Sequence, residues 1–539
     1  MHRLALRALF VAAAFPAFAT PPVAPEVVYD AAPKQILFDW NYVPRANLYE
    51  IWFKANPGAA WSKMGERPSW YPHRDMNVSA HLLDWTGMRW DIRACNPSGC
   101  SPPGSLDIGS TVVNTVGYVK PVTPQTNGAF GAALDVAEDG KTFVVLEPRY
   151  HTGLPAGQNM VVAHIFKPVN GRWQTLVGLS AGVNASAGAT VSISGDGAGI
   201  AIGLPAESYA IGSAAPAEHG AVYIFRYTGE GWAFERRLTP VESDGLHAGA
   251  FTKLSDDGRT LAYSIATSTH EGLESYRRNG SGDWVRMQPL EAPSPHHQVD
   301  YGLGGDGKAL FVRTRAGSSV ETRAYGFAFH ELISYVAETV LSHYELSSFD
   351  VDTTGNQFVS GVRPALVAES AYDPANWKPR VTVFRRAGTE YEPVAVLAPS
   401  RFQPTSYTKR SLFGDRIAFS SQGTYLAVYD PHDAQGHNGV QPPPSAMGTQ
   451  PPRGSVYLFE KHGTGYRERR HIGANGGSPD WVDGQGIFGP MAFGNDGKTF
   501  LVGSPTEDGG IVNKKSIKRA GDAEAHDTSK PDAGAAWLY

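Results

Sequence analysis

The stretch SISGDGAGIAIGLP (192–205), followed by GAVYIF (220–225) and GWAFERRLTP (231–240), decides the fold, because the same phrase recurs through most of the chain. Each copy opens on an apolar run with small residues: FGAALDVA (130–137), GATVSIS (188–194), GAFTKLS (249–255), VDYGLGG (299–305), LSSFDVD (346–352), FGDRIAFS (413–420) and FGPMAFG (488–494). A tight turn follows, Asp139-Gly140 in the first copy and Asp496-Gly497 in the last, with Thr354-Gly355 and Gln422-Gly423 as the variants. Asp before Gly marks a hairpin, because the turn needs a positive φ. A second run, a variable loop, a third run and a fourth opening on an aromatic residue complete the unit. The turn glycines recur at a mean spacing of about 60 residues, a period that sets the architecture before any local reading does.

Seven copies of the first three strands meet only six copies of the fourth, which open at Trp173, Trp232, Trp284, Tyr335, Tyr391 and Tyr466. The last copy stops at GAAWLY (534–539), and TVGYVKPVTP (115–124) reads like ERRLTPVE (235–242). The economical expectation is that the early segment completes the last sheet, closing a ring and removing open sheet edges. A linear solenoid would need capping repeats instead.

The phrases Phe413-Gly414, Phe488-Gly489, IGLP (202–205), VGSP (502–505), GAVYIF and GSVYLF (454–459) resemble the FG-GAP propeller of integrin α-chains and related bacterial secreted proteins. The resemblance covers 115–539 and implies a seven-bladed β-propeller whose insertion loops share one face. Calcium-binding members carry Asp-x-Asp-x-Asp-Gly in the turn. Here the turns read AEDGK, SGDGA, SDDGR, GGDGK, DTTGN, SSQGT and GNDGK, too few carboxylates for the six to eight oxygens calcium takes. No cofactor is expected, and the aspartates read as turn formers.

Ahead of the repeats, residues 26–109 hold ILFDW (36–40), NLYEIWFKA (47–55), AHLLDW (80–85) and RWDIRACN (89–96), short aromatic-rich runs expected to be strands of a β-sandwich. Trp40 and WDIRACNPSGCS (90–101) resemble the core tryptophan and sixth strand of a fibronectin type III domain, with Trp90 where that strand usually has tyrosine. Such modules are mostly spacers or docking surfaces. The two cysteines of the chain, Cys95 and Cys100, enclose turn formers and are expected to form a disulfide in an oxidising compartment.

Residues 1–19 read as a secretory signal: Arg3 and Arg7, an apolar stretch, then Ala17-Phe18-Ala19 at the cleavage site. No later stretch is long and apolar enough to span a bilayer. A net charge of -5 offers no basic surplus for nucleic acid. The expected product is a secreted, periplasmic or surface-exposed monomer.

Variable loops on a rigid scaffold are the usual place for binding. They fall at 148–159, 206–219, 364–379, 430–453 and 506–533. Within them Tyr372 and Trp377 are aromatics able to stack on a sugar or anchor a protein, or simply to pack their loop. His432, Asp433 and His437, with Asp430, are polar residues from which a metal site could be drawn, although their spacing fits no established pattern. His151, Glu207, His219, His270 and Asp373 could converge from different blades. Catalytic signatures are weak. GLSAG (178–182) spells the nucleophile elbow around Ser180 but lies between two blades, where that motif needs a strand-to-helix turn. GLGGDG (302–307) is followed by a strand, so no helix N-terminus receives a pyrophosphate. The reading is therefore a non-enzymatic, adhesion-like binding protein recognising a protein or glycan, with an extracellular glycan hydrolase or lyase as the alternative. Titratable groups within hydrogen-bond reach at the ring's mouth would favour the enzyme; a small, apolar lining would favour binding.

Overall fold

The computed structural model describes residues 20–539 apart from 84–86, 108–116, 151–159, 170–171, 184–186, 211–216, 242–244, 268–270, 292–297, 328–331, 340–343, 365–378, 400–410, 434–438, 442–453, 474–488, 496, 508–528 and 531. The signal-like segment 1–19 and most of the insertion loops lie outside the described residues.

The amino-terminal module packs two sheets face to face. Val27–Ala32, Gln35–Trp40 and His73–Asn77 form one, in that order. Ser62–Pro68, Leu48–Lys54, Arg89–Asn96 and Gly99–Cys100 form the other, with Gly104–Asp107 also on Arg89–Asn96. Alternation places Ile36, Phe38 and Trp40 opposite Tyr49, Ile51, Trp90 and Ile92, all buried. Trp40 meets Tyr49 edge-on at 5.3 Å, and Phe38 lies 5.6 Å from Trp90. Cys95 and Cys100 face each other across the last hairpin and are joined as a disulfide. Among the described residues, AHLLDW opens as a single 3-10 turn, Ala80–Leu82, and not as the expected strand, and its histidine bonds the neighbouring domain.

Among the described residues, 118–538 form seven sheets of four or five strands, beside one isolated pair of two-residue strands. In the second sheet, Thr190–Ile193, Gly199–Leu204, Ala221–Tyr227 and Trp232–Leu238 pair antiparallel in chain order. In the seventh, Met491–Phe493, Phe500–Ser504 and Ala535–Leu538 are completed by Tyr118–Val119, with Ala536 opposite Val119 and Trp537 opposite Tyr118. The first strands of neighbouring sheets touch in chain order, and that of the seventh touches that of the first. This is a β-propeller.

The turns explain the repeat. Every turn glycine, from Gly140 (φ 63°) to Gly497 (φ 64°), sits in the left-handed region where a side chain is strained. The preceding aspartates cap their own turns: Asp139, Asp196, Asp257 and Asp306 each accept the N–H two residues on at 2.7–3.0 Å.

First strands radiating from an axis are too splayed to ladder, yet their N–H groups still need partners. Just past the strand ends, a girdle of main-chain bonds joins the turns of neighbouring sheets instead. Asp139 N donates to Gly195 O (3.3 Å), Gly195 N to Asp256 O (2.9 Å), Asp256 N to Gly305 O (2.7 Å) and Asp306 N to Thr353 O (2.7 Å). Thr353 N donates to Ser421 O (3.0 Å) and Asn495 N to Glu138 O (2.9 Å). Six of the seven junctions are tied in this way among the described residues.

The module docks on the turn side of the sixth and seventh sheets. His81 Nε2 bonds Gly497 O (2.7 Å), Ser79 Oγ donates to Lys498 O (2.7 Å) and Lys34 Nζ to Thr499 Oγ1 (2.6 Å). From the sixth sheet, Arg469 and Arg470 donate to the Leu82 and Leu83 carbonyls. The module's core runs unbroken through Leu82, Leu83 and Tyr425 into the interiors of those two sheets.

Candidate functional site

The axis of the ring is a channel of about 240 Å³ lined by the first strands of all seven sheets. The lining follows the register of the repeat. Five residues before each turn glycine stand Asp135, Ser192, Lys253, Gly302, Asp350, Ala418 and Ala492. Two residues before it stand Glu138, Gly195, Asp256, Gly305, Thr353, Ser421 and Asn495. The first layer is mixed, and the second is rich in oxygen.

Much of the first layer holds the ring together. Asp135 Oδ2 accepts Ile193 N and Ser192 Oγ of the next sheet, both at 3.1 Å, while Oδ1 accepts its own Val136 N at 3.0 Å. Ser192 Oγ accepts Leu254 N of the sheet after that (3.1 Å). Between the fifth and sixth sheets, Asp350 Oδ2 accepts Phe419 N (2.8 Å), Asp350 Oδ1 accepts Val351 N (2.9 Å), and Ser348 Oγ accepts Ile417 N (3.1 Å). All four oxygens of these two carboxylates are therefore engaged by backbone N–H groups.

Lys253 is the cation of this layer. Its Nζ lies 3.3 Å from Asp135 Oδ2, and its side chain, 38% exposed, faces the channel. Burial works to lower its pKa, but the charges of Asp135, Asp350 and Asp256 outweigh it and raise it. Asp350 is pushed up to about 6, chiefly by burial, with Lys253 acting against the shift.

In the second layer Glu138 and Asp256 flank Gly195. A Cβ built on that glycine would lie 2.8 Å from Asp256 Cβ and 3.0 Å from Glu138 Oε2. Burial, reinforced by the Glu138 charge, pushes Asp256 up to about 6, and burial raises Glu138. Thr353 acts as a hydrogen-bond partner that opposes the rise at Asp256, while Asn495 Oδ1 is buried and meets no donor among the described residues. The channel thus presents one ammonium, two carboxylates fixed by the scaffold, and two less committed carboxylates near the turn-side mouth. The lining is not apolar: Lys253 and Asp135 are titratable groups within hydrogen-bond reach, the feature named above as favouring an enzyme, although Asp135 and Asp350 are also engaged by backbone N–H groups.

At the opposite ends of the second strands a different device recurs. A Pro-x-Glu or Pro-x-Asp turn directs a carboxylate at a base on the fourth strand. Glu207 pairs with Arg237 (2.9 Å), Asp433 with His471 (2.6 Å), and Glu507 with Lys120 of the closing strand. Lys120 and His471 are fully buried in their side chains. These pairs zip the strand ends from which the insertion loops depart.

Asp433 belongs to that device. It is buried, and although burial works to raise its pKa, the hydrogen bond from His471 holds it below the usual carboxylate range. His432 is half-buried, and its N–H donates to Asp430 Oδ1 (3.0 Å). Asp430 also accepts Ser411 Oγ and Leu412 N, and burial pushes it up to about 7. Tyr372, Trp377, His437, His151, His270 and Asp373 lie outside the described residues. Glu207 Oε1 additionally accepts Tyr223 OH (3.0 Å), and His219 Nδ1 bonds Gly245 O (2.7 Å). Ser180 lies within the strand Arg172–Val183, not on a strand-to-helix elbow. Among the described residues one trio of metal-type donors converges, Glu50 with Cys95 and Cys100, and there the sulfurs are already joined to each other.

Reading along each repeat overlooks the channel layers. Aligning the seven turns and reading down the columns finds them, because every residue five places before a turn glycine belongs to a first strand and every residue two places before it to the turn that follows.

No protein-family model matches the chain, and no curated protein matches it. Solved structures similar to it include hydrazine synthase of Kuenenia stuttgartiensis, at 12% identity over 71% of this chain and 94% of that one, with a TM-score of 0.43. The periplasmic gluconolactonase of Pseudomonas aeruginosa has 12% identity over 79% and 97%, with a TM-score of 0.39. TolB of Acinetobacter baumannii has 10% identity over 72% and 76%, with a TM-score of 0.33. Likenesses this loose carry no statement about the chemistry of the channel.

Proposed function

We propose that this chain is an exported binding protein: a seven-bladed FG-GAP-like ring, bearing a fibronectin type III-like module, that recognises a protein or glycan partner through the insertion loops of one propeller face. The observation that carries the reading is the commitment of the channel acids. Asp135 and Asp350 each tie the neighbouring first strand through Oδ2 and the next residue of their own strand through Oδ1, which supports a scaffold role for both. The second support is the set of acid–base pairs at the strand ends where insertion loops depart, two of them buried (Lys120 with Glu507 and His471 with Asp433) and one partly exposed (Arg237 with Glu207). The sandwich order agrees with a fibronectin type III-like module, with its first, second and fifth strands in one sheet. Among the described residues no helix is long and apolar enough to cross a membrane.

The test is a glycan and protein binding screen on the full chain, repeated after trimming 430–453. Loss of binding on trimming supports the loop face, and retained binding moves the site elsewhere.

One observation favours the enzymatic alternative. Glu138 and Asp256 flank Gly195 with raised pKa values, the kind of environment in which one carboxyl stays protonated beside an ionised one. A glycan hydrolase or lyase working there loses its turnover in Asp256→Asn, while a binding protein keeps its affinity.

A further inference from the structure

We infer that the free pole of the amino-terminal module is a carbohydrate-binding surface, separate from the loop face of the propeller and independent of the reading given for it. The docked residues Lys34, Ser79 and His81 all lie at one end of the sandwich, where Val78 N also bonds Lys34 O. The strand Gln35–Trp40 runs from that end to the other, about 20 Å at the usual strand rise. At the far end the loops 41–47 and 69–72 are held side by side, through Trp40 N to Pro72 O (3.2 Å) and Ser69 N to Asn47 O (3.1 Å).

These loops carry three rings turned to solvent. Trp70 is 77% exposed, Tyr42 61% and Tyr71 44%. A tryptophan so exposed on a tightly tied turn contributes nothing to the core, where the module already uses Trp40 and Trp90. Polar groups stand beside the rings. Tyr71 lies 5.8 Å from the His73 ring and 6.0 Å from the Arg67 guanidinium, and His73 Nδ1 bonds Asp39 Oδ1 at 2.5 Å, with Asp75 on its other nitrogen.

Size and chemistry choose the occupant. Scaled by their exposed fractions, side chains of about 150–250 Å² each present roughly 400 Å² among the three rings. That is about half of the ~800 Å² per partner that a stable protein interface buries, but enough for two or three sugar rings. Aromatic faces accept the C–H faces of pyranoses, while the Asp39 and Asp75 carboxylates and the Arg67 guanidinium bond hydroxyls. The surface therefore fits a neutral, hydroxyl-rich polysaccharide lying across Trp70.

The experiment uses the full chain on an array of neutral oligosaccharides (glucans, xylans, mannans and chitin fragments), followed by titration of the best binder with tryptophan fluorescence as readout. The expected result is binding that weakens at least tenfold in Trp70→Ala and again in Tyr42→Ala, with unchanged thermal midpoints, and that survives trimming of 430–453. Absence of any array binding, or equal affinity in Trp70→Ala, overturns the inference. So does a Trp70→Ala variant whose only change is loss of self-association in sedimentation, which would make the pole a contact between copies of this chain.

Discussion

Replacing Lys120 tests the closure of the ring most directly. Lys120 follows the two residues that pair with the carboxy-terminal strand, its side chain is fully buried, and it faces the Glu507 carboxylate, itself only 8% exposed. In Lys120→Met the carboxylate stays in place without its cation, and breaking a buried pair from one side costs about 3–5 kcal/mol. The loss falls on a short strand of the seventh sheet, so it lowers the free energy of local opening there more than global stability. At about 1.4 kcal/mol per tenfold, amides of the last strand gain two to three and a half orders of magnitude in hydrogen exchange. The reporter is Leu538 N, bonded to Gly117 O at 2.7 Å, and the control is Gly199–Leu204 in the second sheet. The double variant Lys120→Met, Glu507→Leu removes both charges and recovers most of the protection, because exchanging a buried pair for apolar groups is often close to neutral. Exchange at 536–539 within threefold of the wild type in Lys120→Met would refute the reasoning, as would an equal rise in the control.

Other outcomes follow from the same structure. Asp256 has a folded pKa of about 6, above its unfolded value, so the native state holds the extra proton between pH ~4 and ~6. Stability therefore falls as pH rises through that window, by at most about 3 kcal/mol from this group, and Asp256→Asn flattens the dependence in denaturant titrations at several pH values. Asp350→Ala strips the partner from Phe419 N and Val351 N, at about 1–3 kcal/mol for each N–H left buried, and lowers the chemical denaturation midpoint; Asp350→Asn, which keeps one acceptor, falls between the two. Cys95→Ser with Cys100→Ser opens a very short loop and costs about 2 kcal/mol, seen as faster exchange in residues 89–101 with the propeller unchanged.

The propeller was legible because its signals are local and repeated. A turn that demands positive φ places glycine in the same column seven times, and each strand between turns is apolar enough to be read on its own. The sandwich was legible through Trp40 and the alternation in RWDIRACN, whereas its polar strands Ser62–Pro68 and His73–Asn77 gave no such pattern and escaped notice. AHLLDW reads as a strand along the chain, whereas its histidine bonds Gly497, 416 residues away, and no window along the chain contains both. The channel residues were visible only in columns. Trp70 lies beside Tyr71 between two prolines, and the fold shows that it faces outward. The Pro-x-Asp turn directs the Asp433 carboxylate inward to His471, 38 residues further on, a pairing that no local window contains.

The docking site of the module has a mechanical meaning. The junction between the sixth and seventh sheets is the one without a main-chain tie among the described residues, and the seventh sheet is itself stitched from both halves of the chain. Arg469 and Arg470 grip the module from one side of that seam, and Gly497, Lys498 and Thr499 grip it from the other. The module is in effect a rivet driven across that seam, and a wheel deprived of it is expected to loosen there first.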